Sequence, residues 1–278
     1  GSTTSMAMVF AIPLAAIIWN LGTWFFGLPA SSSHTLIGSM IGVALVHSYM
    51  QGHFGEGLNW AKVHSIGLSL VISPLIGFVL AALMLLGMKA IVKIPALYTA
   101  PDGNKPPPLP IRLLLIFTCT GVSFAHGSND GQKGMGLLMV AFVTFAPEFF
   151  GEPHPEIPIW LKALVATTLG LGTMVGWKRI VVTIGEKIGK SHMSYGQGAT
   201  AELVAFATIS AADTLGMPVS TTHLLSSGVA GTMAANQSGL QTKTIRDILL
   251  AWILTLPVSI FLGSAIFAAG LFIVFTLT

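Results

Sequence analysis

Charge is scarce in this sequence. Its 278 residues include 13 Lys and Arg and 10 Asp and Glu, together 8% of the chain, against about 25% in an ordinary soluble domain. So few charged groups cannot cover the surface of a soluble protein of this length. The same shortage excludes a nucleic-acid-binding domain, which needs a basic stripe to neutralise phosphates. Cysteine is nearly absent too. Cys119 is the single one and lies in an apolar run, so there is no disulfide framework and no cysteine zinc site. No Asp, Glu, Lys or Arg precedes Glu56. The basic n-region of a signal peptide is therefore missing, and Gly1 is expected to be the start of a fragment or processed chain that already lies at the membrane. What is present is apolar: 53% hydrophobic residues and a mean hydropathy of +0.80. The fold class expected is an all-α polytopic membrane protein.

A spanning helix needs about 20 apolar residues. Met6–Phe26, Ser65–Met88, Ile159–Trp177 and Ile248–Leu277 are candidates, with Pro13, Pro74 and Pro257 inside three of them, and Ala199–Leu215 is another apolar stretch. The run Ile111–Ala146 is too long for one simple span. It is interrupted by the polar string from His126 to Lys133, where Gly127, Gly131, Gly134 and Gly136 are expected to let the helix break. Two shorter pieces, Thr35–Val46 and Leu224–Ala235, read as half-helices of re-entrant hairpins, since irregular backbone at membrane depth is tolerated only where protein buries it or it lines a cavity.

Lys and Arg set the orientation. Lys89, Lys93, Lys105 and Arg112 surround the Pro-rich loop Pro101–Pro110. Lys178, Arg179, Lys187 and Lys190 follow Trp177, and Lys243 and Arg246 precede the last span. These three loops are expected inside, with Lys178–Lys190 as an amphipathic surface helix. The acidic loop Pro147–Pro158, with Glu148, Glu152 and Glu156, and the segment Gln51–Val63 are expected outside.

The sequence repeats itself. Gly27-Leu-Pro-Ala-Ser-Ser-Ser-His34 matches Gly216-Met-Pro-Val-Ser-Thr-Thr-His223, and at the same offset Gly42 matches Gly231. The first hairpin returns to an outer loop and the second to an inner one, so the copies are expected to be inverted. Inverted repeats with broken helices are the pattern of secondary transporters, with the substrate near the midplane. The expected organisation is residues 1–95 as the later part of a first inverted repeat, 96–110 as a cytoplasmic linker, and 111–278 as the second. The offset places a partner of Asn129-Asp130 well before Gly1, in agreement with a truncated chain.

The chemistry follows from these motifs. Ser31, Ser32 and Ser33, like Ser220, Thr221 and Thr222, follow a proline and open a helix. Free helix N–H groups, the positive end of the helix dipole and extra hydroxyls make an anion cradle, above all for a tetrahedral oxyanion. A single copy would read as ordinary capping; two inverted copies point to a ligand. Asn129, Asp130, Gln132 and Lys133 lie between apolar runs, where ionisable groups are costly and usually functional. Asp130 can take a cation or a proton, and Lys133 can compensate Asp130 or an anion. Glu202 and Asp213 are further intramembrane acids, Glu202 the second choice as a proton acceptor. His34 and His223 are candidate proton carriers, but the expected role is structural, donating a hydrogen bond to a backbone carbonyl. No Arg lies in the interior of a predicted span, so guanidinium recognition of the anion is not expected. A Ser-His hydrolase is a weak reading, because each His sits badly for its own Ser and no carboxylate orients it.

At these four motifs (Phe124-Ala-His-Gly-Ser-Asn-Asp130, Gly131-Gln-Lys-Gly134 and the two Gly-x-Pro copies) the sequence resembles the PiT family of inorganic phosphate transporters. The resemblance runs from about Trp19 onwards. It implies two inverted repeats and movement of inorganic phosphate with sodium or protons; a few similar proteins carry sulfate. The family pattern reads Gly-Ala-Asn-Asp-Val-Ala-Asn-Ala; here Ser128 replaces the Ala and Lys133 stands at the second Asn, which helps hold a cation in sodium-coupled members. The Gly-Gln-Lys version resembles the bacterial low-affinity branch, proton-coupled carriers of metal–phosphate complexes. The implied reading is a multi-pass phosphate symporter of the bacterial inner membrane and not an enzyme. Phosphate is expected at Ser31–Ser33, Ser220–Thr222 and Asn129–Asp130, with Asp130, Lys133 and Glu202 for coupling or charge compensation. No resident cofactor or metal is expected; protons are the expected coupling ion, and a divalent metal travelling with phosphate and a homo-oligomer are left open. Membrane lipid is the surrounding partner. The alternatives are a sulfate permease on the same scaffold and a passive anion channel.

Overall fold

The structure is a computed structural model that describes residues 2–103, 105–150, 156–217 and 219–277. Gly1, Glu152 and Pro218, used in the sequence reading, lie outside the described residues. The described chain is helical in the order α1 (Ser2–Phe25), α2 (Ser32–Met50), α3 (Trp60–Ile91), α4 (Leu109–Phe145), α5 (Pro147–Phe150), α6 (Ile159–Val182), α7 (Tyr195–Thr214), α8 (Thr221–Ala235) and α9 (Thr242–Leu277). Among the described residues five helices, α1, α3, α4, α6 with the turn that follows it, and α9, are long and apolar enough to cross a membrane. Their outward faces are apolar: Val71, Phe124 and Val175 are exposed. In water such faces would be unstable; in lipid they face a matching solvent. The chain is a multi-pass membrane protein.

Both copies of the repeated motif fold in the same way. Gly27 and Gly216 take φ of 68° and 63°, left-handed backbone that glycine adopts at little cost. The N–H of Gly27 donates to Trp24 O and that of Leu28 to Thr23 O; Gly216 donates to Asp213 O and Met217 to Ala212 O. Donors and acceptors alike keep the offset of the repeated motif. Ser31 and Ser220 then cap α2 and α8 by accepting from His34 and His223 N–H.

The two short helices are held crosswise. α2 packs along α9, and α8 along α3. The contacts rest on missing side chains, as close helix packing in membranes does. A Cβ on Gly42 would lie 2.9 Å from Ile260 C, and one on Gly231 would lie 2.8 Å from Phe78 C. A Cβ on Gly38 would lie 2.7 Å from the Ser259 Cβ, and one on Gly77 would meet the Ser227 hydroxyl. Here the glycine and serine have changed places between the two crossings.

Three expectations change. α4 does not break: it is one helix of 37 residues through the polar string. Helix hydrogen bonds are internal, so separated glycines weaken it by about 1 kcal/mol each without opening it, and neighbouring helices satisfy its polar side chains. α2 runs 19 residues, beyond the apolar piece, because Ser48 turns its hydroxyl onto Leu45 O. Lys178–Lys190 is not a separate surface helix. α6 continues to Val182 and closes in a π-helical turn, Thr183–Lys187, so Arg179 belongs to a spanning helix. Its guanidinium donates to Phe25 O at 2.5 Å and lies 5.0 Å from the Trp24 ring, a cation at the negative end of α1.

Candidate functional site

α4 and α7 lie side by side and run parallel. Thr118 donates to Glu202 Oε2 at 2.5 Å, and Asn129 Nδ2 donates to Asp213 Oδ1. The two pairs have the same sequence separation, a register only parallel helices keep. Ala125, Ala205, Ile209 and Leu224 form the buried seam that joins α4, α7 and α8. Asn129 stands just past the middle of α4, about 30 Å along its axis from the start, which places the turn after α7 beside the middle of a spanning helix. The start of α2 reaches the same level from the other side.

A polar cluster forms where these elements meet. Lys133 Nζ has three N–H donors and uses all of them: on Ser33 Oγ at 2.5 Å, on Asp130 Oδ1 at 2.9 Å, and on Asn129 Oδ1. Ser32 Oγ donates to Asp130 Oδ2 at 3.1 Å, and His126 Nε2 stands 3.6 Å from the same oxygen. Asn129 thus joins Lys133 through its carbonyl and Asp213 through its amide. The cluster contains two carboxyl groups, Asp130 and Asp213, and one ammonium. Asp130 also forms part of the wall of a cavity of about 870 Å³ between α1, α4 and α6, together with Trp24, Gly134, Val165, Gly172 and Gly176.

The structure therefore brings Ser32, Ser33, Asn129, Asp130 and Lys133 into one network, with Ser31 below it as the cap. The second hydroxyl cluster reaches the site through the rings. His34 and His223 stack with centroids 5.2 Å apart and planes 10° apart, which brings the two helix starts together. Capping uses the N–H groups of His34 and His223; the N–H groups before them have no partner within their helices. Thr221 is buried, Thr222 half-buried, and neither hydroxyl is hydrogen-bonded among the described residues. Glu202 stands apart. It is three helical turns from Asp213, about 16 Å along α7, and its partner is Thr118.

His34 has a backbone hydrogen-bond partner at Ile66, as expected, and hydroxyls beside it; His223 does not. His34 places Nδ1 2.7 Å from Ser31 Oγ and Nε2 3.3 Å from Ser69 Oγ, because hydroxyls lie nearer to a ring so close to a helix start. His223 is fully buried, and neither ring nitrogen has a hydrogen-bond partner among the described residues. Sequence reasoning also missed Asp213 as the partner of Asn129. Its place just before Gly216, at the level of Asn129, was the available signal. Nothing in the sequence pointed to Trp252, whose Nε1 donates to Pro29 O at 2.7 Å and whose ring lies 4.2 Å from that of His223.

Comparison with known proteins agrees with this architecture. The Phosphate transporter family matches residues 2–263. The low-affinity inorganic phosphate transporter PitB of Escherichia coli K12 is 34% identical over an alignment of 404 residues, covering 96% of this chain and 81% of the relative. The low-affinity inorganic phosphate transporter of Buchnera aphidicola from Acyrthosiphon pisum is also 34% identical, covering 98% of this chain and 82% of its own length. A solved structure titled the sodium-dependent phosphate transporter shares the fold, with a TM-score of 0.78 at 22% identity over 96% of this chain and 80% of that one. With a family match over nearly its whole length and relatives at this identity, the chain belongs to the Phosphate transporter family.

Proposed function

We propose that the protein is a secondary transporter that carries inorganic phosphate across the bacterial inner membrane together with protons. The observation that carries this reading is the charge balance at the crossing of α2, α4 and α7. Two carboxyl groups face one ammonium there, so a phosphate anion entering among Ser32, Ser33 and the helix starts meets a site that is not positive. Phosphate can stay only if cations arrive with it. The membrane potential requires the same thing: an anion moving inwards works against about 2.3 kcal/mol per charge per 100 mV. On entry phosphate displaces Asp130 and Asn129 from Lys133 and takes hydrogen bonds from Lys133, the hydroxyls and the free N–H groups.

Several features support re-entrant hairpins in inverted halves. The turn after α7 lies at mid-helix on α4, the two turns share one hydrogen-bond pattern, and α2 on α9 mirrors α8 on α3. A substrate between such tips is exposed to each side in turn as the halves rock. Lys133 favours protons over sodium as coupling ion, since its ammonium stands where a sodium-binding Asn is expected and repels a second metal cation. A divalent metal would travel as part of the substrate, as a neutral metal–phosphate complex.

The test is uptake by the purified protein in vesicles. An acid-outside pH gradient drives phosphate in without sodium, and collapsing the gradient abolishes accumulation. Strict sodium dependence at fixed pH refutes proton coupling. Uptake that never exceeds equilibrium refutes symport and favours the channel. Stronger competition by sulfate than by phosphate itself refutes the substrate.

A further inference from the structure

The two stacked imidazoles are equivalent in sequence but not in surroundings. The ring of His34 is held at both nitrogens, by Ser31 and Ser69. Among the described residues the ring of His223 is held at neither, although the residue is fully buried. The difference has a structural source. The paired contacts Gly42–Ile260 and Gly231–Phe78 make Phe78 of α3 the equivalent of Ile260 of α9. Counted back from that pair in step, the counterpart of Ser69 is Ala251. The second imidazole has lost the hydroxyl that fixes the first. A neutral imidazole has one N–H and one lone pair, and leaving both unmade in a buried place costs stability. Such an orphan in a native protein calls for a role.

Ser226, one turn further along α8, is also buried with an unpartnered hydroxyl. It lines a cavity of about 360 Å³ between α3, α8 and α9 that extends to Leu240 and Ile245, the end flanked by the basic segments expected inside. The groups that face the His223 ring are few. α2 contributes His34 and α9 contributes Trp252. On α4 and α7 the nearest charges are Lys133, Asp130 and Asp213, reached through Ser33, Ser32 and Asn129. The titratable residues of α3 (Lys62, His64 and Lys89) lie at its ends. With the cradle empty, no carboxylate contacts the ring, and the ammonium of Lys133 is the cation nearest to the paired rings. With an anion at the start of α8, one turn from His223, the balance reverses.

We propose that His223 is the proton-carrying group of this site: it accepts one proton from solvent when an anion occupies the cradle and returns it to solvent when the anion leaves. Only an N–H bond forms and breaks, and phosphate keeps its own protons. The inference rests on the proton-coupled reading above and gives that reading a residue. It also explains why proton and anion move together, since each is poorly held without the other.

The experiment counts protons. Phosphate binding to the purified protein is followed by calorimetry in buffers of different ionisation enthalpy, for the unaltered chain and for His223→Gln, which keeps a donor and an acceptor but cannot become a cation. The expected result is about one proton fewer taken up per phosphate in the variant, with phosphate still bound, and loss of accumulation driven by a pH gradient in vesicles. His34→Gln is expected to keep the proton. If the unaltered protein accumulates phosphate on a pH gradient and His223→Gln takes up as many protons, His223 is not the carrier and the proton-coupled reading stands. If the unaltered protein ignores the gradient, that reading fails first. Should His223→Gln not fold, nuclear magnetic resonance of the unaltered, histidine-labelled protein decides: an imidazolium signal from His223 with phosphate and a neutral one without it is expected, and a neutral ring in both overturns the proposal.

Discussion

Replacing Lys133 by Ala tests the site most directly. Its ammonium is the one cation in the network of Ser32, Ser33, Asn129 and Asp130, with donors on Ser33 at 2.5 Å and Asp130 at 2.9 Å. A unit cation about 4 Å from a unit anion contributes about 4 kcal/mol at an effective dielectric constant near 20. The Lys133 side chain is 29% exposed, and solvent screening halves that figure to about 2 kcal/mol. Phosphate affinity should therefore fall by between about 30-fold and 1,000-fold. Equilibrium binding to detergent-solubilised protein reads this directly, without the complication of transport steps. Lys133→Arg keeps the charge and should lose far less. Asp130→Asn should bind phosphate at least as well as the unaltered chain, because a repelling carboxylate is gone. The double substitution should be non-additive, since the two side chains contact each other. A change of less than about threefold in Lys133→Ala, worth about 0.6 kcal/mol, would show that the ammonium does not face the anion.

Further expectations concern the rest of the site and the fold. Ser32 and Ser33 to Ala together, or Thr221 and Thr222 to Ala together, should each weaken phosphate binding about 30-fold, at about 1 kcal/mol per hydroxyl; a silent pair would reject a shared cradle. After Cys119, which is exposed, is changed to Ser, cysteines at Glu148 and Lys187 should label from outside and inside respectively, and labelling of both from one side would reject the orientation. Gly42→Val and Gly231→Val should lower the melting temperature, an overpacking cost of about 1–3 kcal/mol each, because their Cβ atoms meet the backbone of Ile260 and Phe78. Gly136→Ala, with open space around it, should be tolerated in the same melting assay.

The sequence disclosed the spanning helices because lipid selects long apolar runs, and it disclosed the two helix starts because cap, turn and glycine chemistry is local. The continuity of α4 was not legible. A string of glycines and polar residues looks like a break, and only distant neighbours on other elements, Ser32, Ser33 and Asp213, satisfy those side chains. His223 was misread for a similar reason: the missing partner belongs to another helix, and an absence at Ala251 has no signature in the motif. Arg179 reads as a loop residue after Trp177, yet α6 extends through it, because a long basic side chain can reach a helix end that sequence alone does not place beside it.

The crosswise packing of α2 on α9 and α8 on α3 has a consequence for how the protein is made. Gly38 meets Ser259, far later in the chain, so the groove that receives α2 does not exist until α9 has been synthesised. The start of α2, with Ser31, Ser32 and His34, must wait in the translocon or in lipid with its polar groups unpaired while most of the chain follows. Contacts of such long range make assembly slow and leave intermediates exposed. A chain stopped before Thr242 would keep every residue of the cradle and still lack the groove that holds α2 and the tryptophan, Trp252, that joins the two tips. Quality control of this protein therefore depends on α9, which among the described residues supplies no hydroxyl or charged group to the cradle itself.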